Sequence, residues 1–99
     1  EDELYDHLRG PGANMEILAT AFSDEKYDGT MRHEPILMTV SYEDGRIFHS
    51  AMGHSKEALS CVGFMTTFIR GCQWAAGKKV NFDIPDDFPT ESASSSITY

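Results

Sequence analysis

The dipeptide Asp44-Gly45 stands between two segments of alternating character, Ile36 to Tyr42 and Arg46 to Met52. Asp-Gly favours the left-handed backbone that a two-residue hairpin loop needs, so the two segments are predicted to pair as antiparallel strands. With Asp44-Gly45 as the loop, Glu43 faces Arg46 as an opposite-charge pair and Val40 faces His49. His49 then shares a face with Ile36, Met38, Ile47 and Ala51, where it reads as a core histidine satisfied by a backbone carbonyl. Pro35 opens the first strand and holds Glu34 extended. Past the second strand Gly53 hinges the chain, and His54 falls beyond the ladder, where an imidazole can reach a cleft.

The remaining elements follow from period and punctuation. Asn14 to Phe22 reads as a strand apolar on both faces, which expects cover on both sides, as in a layered α/β domain. From Lys56 the period lengthens. Lys56 to Leu59 can make one helical turn, and Ser60 is placed to cap a long helix from about Cys61 to Ala76, with Gly77 as its left-handed stop. The predicted buried stripe of that helix is Cys61, Met65, Phe68, Ile69, Cys72 and Ala76, and Gly63 and Gly71 imply close packing against the sheet. Trp74 reads as a packing residue, with a sugar platform as the alternative. Glu1 to Arg9 offers a short helical turn closed by Gly10-Pro11-Gly12. Ser23 to Arg32 is a polar loop whose acids lack the spacing of a calcium loop. Val80 to Ile84 can extend briefly. Residues 1–89 therefore form the domain, and the Ser/Thr-rich residues 90–99 are expected as a flexible C-terminal tail, frayed or draped.

Composition narrows the partners. Ninety-nine residues make one domain at most. Sixteen acids against eight bases give a net charge of −8, which repels a phosphate backbone, so no nucleic-acid partner is expected. No apolar run approaches the roughly 18 residues that span a bilayer, and no membrane partner is expected. The opening, Glu1-Asp2-Glu3-Leu4, is acidic, carries no secretory leader and lacks Met, and reads as a processed or excised chain. Cys61 and Cys72 sit on one predicted helix, about 16 Å apart at roughly 1.5 Å per residue, too far for a disulfide. As buried thiols they fit a reducing compartment, which favours the cytoplasm.

Three chemistries compete for the polar residues. Imidazoles at 33, 49 and 54 suit zinc, yet His49 and His54 straddle a strand end and lack the helical His-Glu-x-x-His spacing, so no metal ligand or cofactor is assigned and zinc stays an alternative. His33 beside Glu34 resembles an acid/base pair, but neighbours on a strand point to opposite faces. Glu34 is then free to serve Arg32, Arg46 or a ligand hydroxyl. Cys61 near a helix start has the dipole's help toward thiolate, but it belongs to the apolar stripe. No phosphate loop, Gly-x-Ser-x-Gly elbow or Cys-x-x-Cys pair is present.

Taken together, Arg32-His33-Glu34-Pro35-Ile36-Leu37-Met38, Gly45-Arg46-Ile47-Phe48-His49 followed by Gly53-His54, Gly63-Phe64, Arg70-Gly71 and Trp74-Ala75-Ala76-Gly77-Lys78 resemble the ThuA-like (trehalose utilisation) family. The likeness runs from about Leu4 to Pro89 and corresponds to the C-terminal half of the family's domain. It implies part of a flavodoxin-like, class I glutamine amidotransferase-like three-layer α/β sandwich, whose N-terminal half would supply further parallel strands. Amidotransferase activity is not implied, because the nucleophile elbow is missing and no Glu follows the histidines at the short spacing. Ser55 stands where the family commonly has an acid. The resemblance implies a domain acting on or binding a sugar such as trehalose or a keto-sugar derivative. Its catalytic residues are expected to be His54, His33 and Glu34, with His49, Gly53 and Ser55 toward the substrate. A non-catalytic carbohydrate-binding or structural module is the alternative, and a metal-dependent hydrolase the third reading. The expected partners are a small carbohydrate and either a second copy or a missing N-terminal half.

Overall fold

The computed structural model describes residues 1–98, and Tyr99, the last residue of the expected tail, lies outside the described residues. The architecture is mixed α/β: a three-stranded antiparallel sheet, then two helices. The chain divides into two compact units, Leu4–Ala51 and Glu1–Glu3 together with the chain from Met52 onward.

The first unit is the sheet, in the order β1 (Met15–Phe22), β2 (His33–Tyr42), β3 (Gly45–Ser50). The hairpin forms where the alternation places it, but the loop is Glu43-Asp44 rather than Asp44-Gly45. Tyr42 pairs with Gly45, Ser41 with Arg46, Val40 with Ile47, Thr39 with Phe48 and Met38 with His49. The expected Glu43–Arg46 and Val40–His49 pairings are therefore corrected. Glu43 takes the left-handed backbone (φ 50°), at a cost of about 1–2 kcal/mol for a residue with a Cβ. In return a β-branched pair and a Thr–Phe pair stand directly opposite, the combinations that most stabilise a ladder.

Because the register moves by two positions in total, every side chain keeps its face. His49 nonetheless is exposed rather than a core residue, because β3 is an edge strand whose Ile47 is also 48% exposed. The two-sided burial expected of the first strand belongs to the central one instead. Adjacent Leu37 and Met38 are 7% and 5% exposed, while Ile17, Leu18 and Phe22 of β1 remain about half exposed. Pro35 lies inside β2, not at its start. There the pairing to β1 jumps from Ala19–Leu37 to Thr20–Pro35, the irregularity that a residue without an amide proton tolerates.

The second unit is built on α1 (Lys56–Leu59) and α2 (Val62–Ala75). Gly77 (φ 68°) stops α2 as its sequence position predicts. The buried face, however, is Val62, Thr66 and Gly71, one step around the helix from the expected stripe. Phe68 is 48% exposed, Cys72 is exposed and Cys61 is half-buried, so the thiols are free but not core.

The N-terminus of α2 explains this rotation. Ser60 does not cap it; its hydroxyl donates to the Lys56 carbonyl (2.7 Å). Cys61 occupies the cap position with no side-chain bond. The orphan N–H of Val62 is taken instead by the Ser95 carbonyl (3.1 Å), while Ile97 N–H donates to Ser60 O (3.0 Å). Ser95 to Ile97 thus run back along the α1–α2 junction as a short bridge, Cys61 opposite Ser96. A Cβ at Gly63 would come within 3.0 Å of Pro89 Cγ, so that glycine admits the returning chain rather than a sheet.

Val80 to Ile84 forms no strand. The Gln73 side chain instead bonds Asn81 N–H, Phe82 N–H and the Asn81 side chain, and Arg70 donates to the Phe82 carbonyl. Glu1 to Arg9 forms no helix.

Candidate functional site

Gly53 and His54 form the turn that leads into α1. Gly53 has φ 100°, and a Cβ there would lie 2.9 Å from Phe64 Cε2, so both backbone and neighbour require glycine. Ser55 follows as the N-cap of α1, its hydroxyl accepting from Ala58 N–H (3.0 Å).

The turn is gripped by Asp2. Its Oδ2 accepts the Gly53 N–H (2.7 Å). Its Oδ1 accepts the His54 N–H (3.1 Å), the Glu3 N–H (2.9 Å) and the His54 ring at Nδ1 (3.2 Å). Burial of this carboxylate raises its pKa, but the N–H groups of Gly53, His54 and Glu3 and the His54 ring lower it by more. Asp2 is therefore held below the usual aspartate range. An ionised acceptor at Nδ1 favours the Nδ1–H tautomer and directs the ring's lone pair to Nε2, the arrangement that suits an imidazole to acid/base work. Beside this pair lies a hollow of about 290 Å³, walled mainly by apolar side chains including Met52, Ala58, Phe64 and Phe88, with Asp2 on its rim.

The other expected site residues lie in the sheet unit. His33 and Glu34 face opposite ways, as strand neighbours do. The exposed His33 ring packs against Phe22 (centroids 5.3 Å apart) and its Nδ1 meets Thr20 Oγ1 at 3.3 Å. Glu34 is buried, accepts from the Thr30 hydroxyl at 2.6 Å and pairs with Arg32 at 3.4 Å. It fastens the loop between β1 and β2, whose Thr30 N–H also reaches the buried Ser23 hydroxyl (3.0 Å). His49 stands on β3 opposite Met38. Of the expected residues, Gly53, His54 and Ser55 are thus adjacent in one unit, and His33, Glu34 and His49 belong to the other.

Asp2 is the residue that local sequence reasoning misses. It lies 52 positions from His54, and no spacing rule connects them. Only the acidic character of the opening hints at it. Among the described residues no group of three or more His, Cys, Asp or Glu side chains is arranged to hold a metal ion. No helix among them is long and apolar enough to cross a membrane.

A family model described as ThuA, trehalose utilisation, matches residues 1–75, a range that contains Asp2, Gly53 and His54. The chain belongs to the ThuA family. Its structure is similar to that solved for a ThuA-like protein from Parabacteroides merdae: 46% identity, a TM-score of 0.84, and coverage of 97% of this chain. The chain spans 37% of the length of that relative. No curated protein matches it. Phe88, Pro89 and the bridge at Ser96 fall outside the range matched by the ThuA model.

Proposed function

We propose that this ThuA chain contributes the acid/base residue of a site that acts on a sugar such as trehalose or a keto-sugar derivative. His54 is the group that exchanges protons with a sugar hydroxyl or with the carbon beside a keto group. Asp2 is the positioning residue that fixes its tautomer and orients its ring. The observation that carries this reading is the Asp2 carboxylate, which takes two backbone N–H groups of the Gly53-His54 turn and the His54 ring together. Gly53 makes the turn possible and Ser55 caps the helix behind it. Glu34, engaged by Thr30 and Arg32, holds its own loop, and His33 and His49 offer exposed imidazoles on the sheet unit.

The chain is further read as the C-terminal half of a longer, flavodoxin-like ThuA domain. Support comes from the relative of which it spans 37% and from the half-exposed Ile17, Leu18 and Phe22 of β1, apolar surface on both sides of an edge strand suited to cover by further chain.

The test is turnover of 3-keto-trehalose by the full-length protein. His54→Ala should lower the rate by about 100-fold or more, the scale of general acid/base catalysis. Unimpaired turnover in that variant would refute the assignment. Sugar binding with no turnover in the unmutated protein would establish the binding-module reading instead.

A further inference from the structure

Building on the sugar-site reading, we infer that the hollow beside Asp2 is a subsite for an apolar aglycone, so that the preferred substrates are glycosides carrying an aryl or short alkyl group. Hydrogen-bonding capacity at the hollow is the first reason. Asp2 already takes three contacts at Oδ1, from Glu3 and His54, and one at Oδ2, from Gly53, which leaves it at most one of the roughly four acceptor positions of a carboxylate. The Thr67 hydroxyl, also on the wall, donates to the carbonyls of Gly63 (2.8 Å) and Phe64 (3.0 Å). Beyond these a sugar ring placed there would find only the Thr67 lone pairs and the solvent-exposed Glu1, and would exchange water for few hydrogen bonds. An apolar ring incurs no such loss.

The walls give the second reason. Phe64 is braced by stacking on Phe68 (centroids 5.6 Å apart, planes 18° apart), and Phe88 and Pro89 complete the lining. At about 290 Å³ the hollow is at the small end of ligand pockets, room for one six-membered ring or a short alkyl group. Position is the third. Asp2 belongs both to the rim of the hollow and to the His54 pair, so a group seated here lies beside the residue that holds the imidazole. The pair lies inside the range matched by the ThuA model, whereas Phe88 and Pro89 lie outside it.

The experiment compares phenyl and methyl α-D-glucopyranoside by calorimetry on the full-length protein. Phenyl glucoside should bind about ten-fold or more tightly, the effect of burying one aromatic ring. Thr67→Leu, which fills the hollow, should bring the ratio of the two affinities toward one. Phe88→Ala, which removes a wall, should also lower it and keeps the test decisive if Thr67→Leu does not fold. Equal affinities in the unmutated protein, or a preference that survives both substitutions, would overturn the inference. Equal affinities with turnover still lost in His54→Ala would overturn the subsite alone and leave the sugar-site reading standing.

Discussion

Two carboxylates hold two turns in this chain, and they do so differently. Asp2, with its side chain 25% exposed, accepts mainly from backbone N–H groups and one imidazole. Glu34, with its side chain 9% exposed, accepts from a hydroxyl and a guanidinium. A carboxylate bound to backbone fixes the main chain at a point and thereby aims the side chain that grows from it. A carboxylate bound to side chains, as Glu34 is to Thr30 and Arg32, fastens a loop instead. The comparison explains why the two acids, both plausible as site residues on chemistry alone, have separate uses.

The largest effect expected within this comparison is at the turn that Asp2 grips. Gly53→Ala forces a Cβ into a left-handed backbone and against Phe64. Denaturant unfolding should show a loss of about 3 kcal/mol, the sum of backbone strain and overpacking. A loss below about 1 kcal/mol would show that the turn relaxes and that Gly53 is dispensable.

Next in size is Glu34→Ala, which strands the Thr30 hydroxyl and leaves a small void. The expected cost is about 2 kcal/mol, accompanied by faster amide exchange at Thr30 and Met31. Unchanged stability with impaired sugar binding would move Glu34 from the loop to the ligand and erase the contrast.

The smallest effect is the titration of Asp2. Its folded pKa lies below the unfolded value, so its contribution is complete above the unfolded value of roughly 3.9 and is lost as pH falls through the lowered one. Wild type should therefore exceed Asp2→Asn in stability at neutral pH, and the two curves should converge in acid. Parallel curves would mean that the carboxylate's charge contributes nothing to the turn.

The same contrast divides what could be read from residues alone. The strands at 15–22 and 33–50, the helix and its stop at Gly77 were legible, because alternation, a 3.6-residue period and a glycine C-cap act within a few positions. The hairpin register was not. Asp-Gly is a strong turn signal, but the pairing of Val40 with Ile47 and Thr39 with Phe48 outweighed it. Nor was the buried face of α2, which is Val62, Thr66 and Gly71, with Val62 bonded by the remote chain at Ser95. His54 and Gly53 stood out as a site on sequence, yet the partner that gives His54 its chemical character was hidden.

The residues by themselves determined the alternation that makes a hairpin, the glycine that a left-handed turn before an imidazole demands, and the acidic charge of the chain. Which acid meets that imidazole, which is spent on a loop, and which face of the helix is covered were settled only when segments remote in the chain came together. Local geometry is dictated by neighbours within a few bonds, whereas a carboxylate's partners depend on every segment that can reach it.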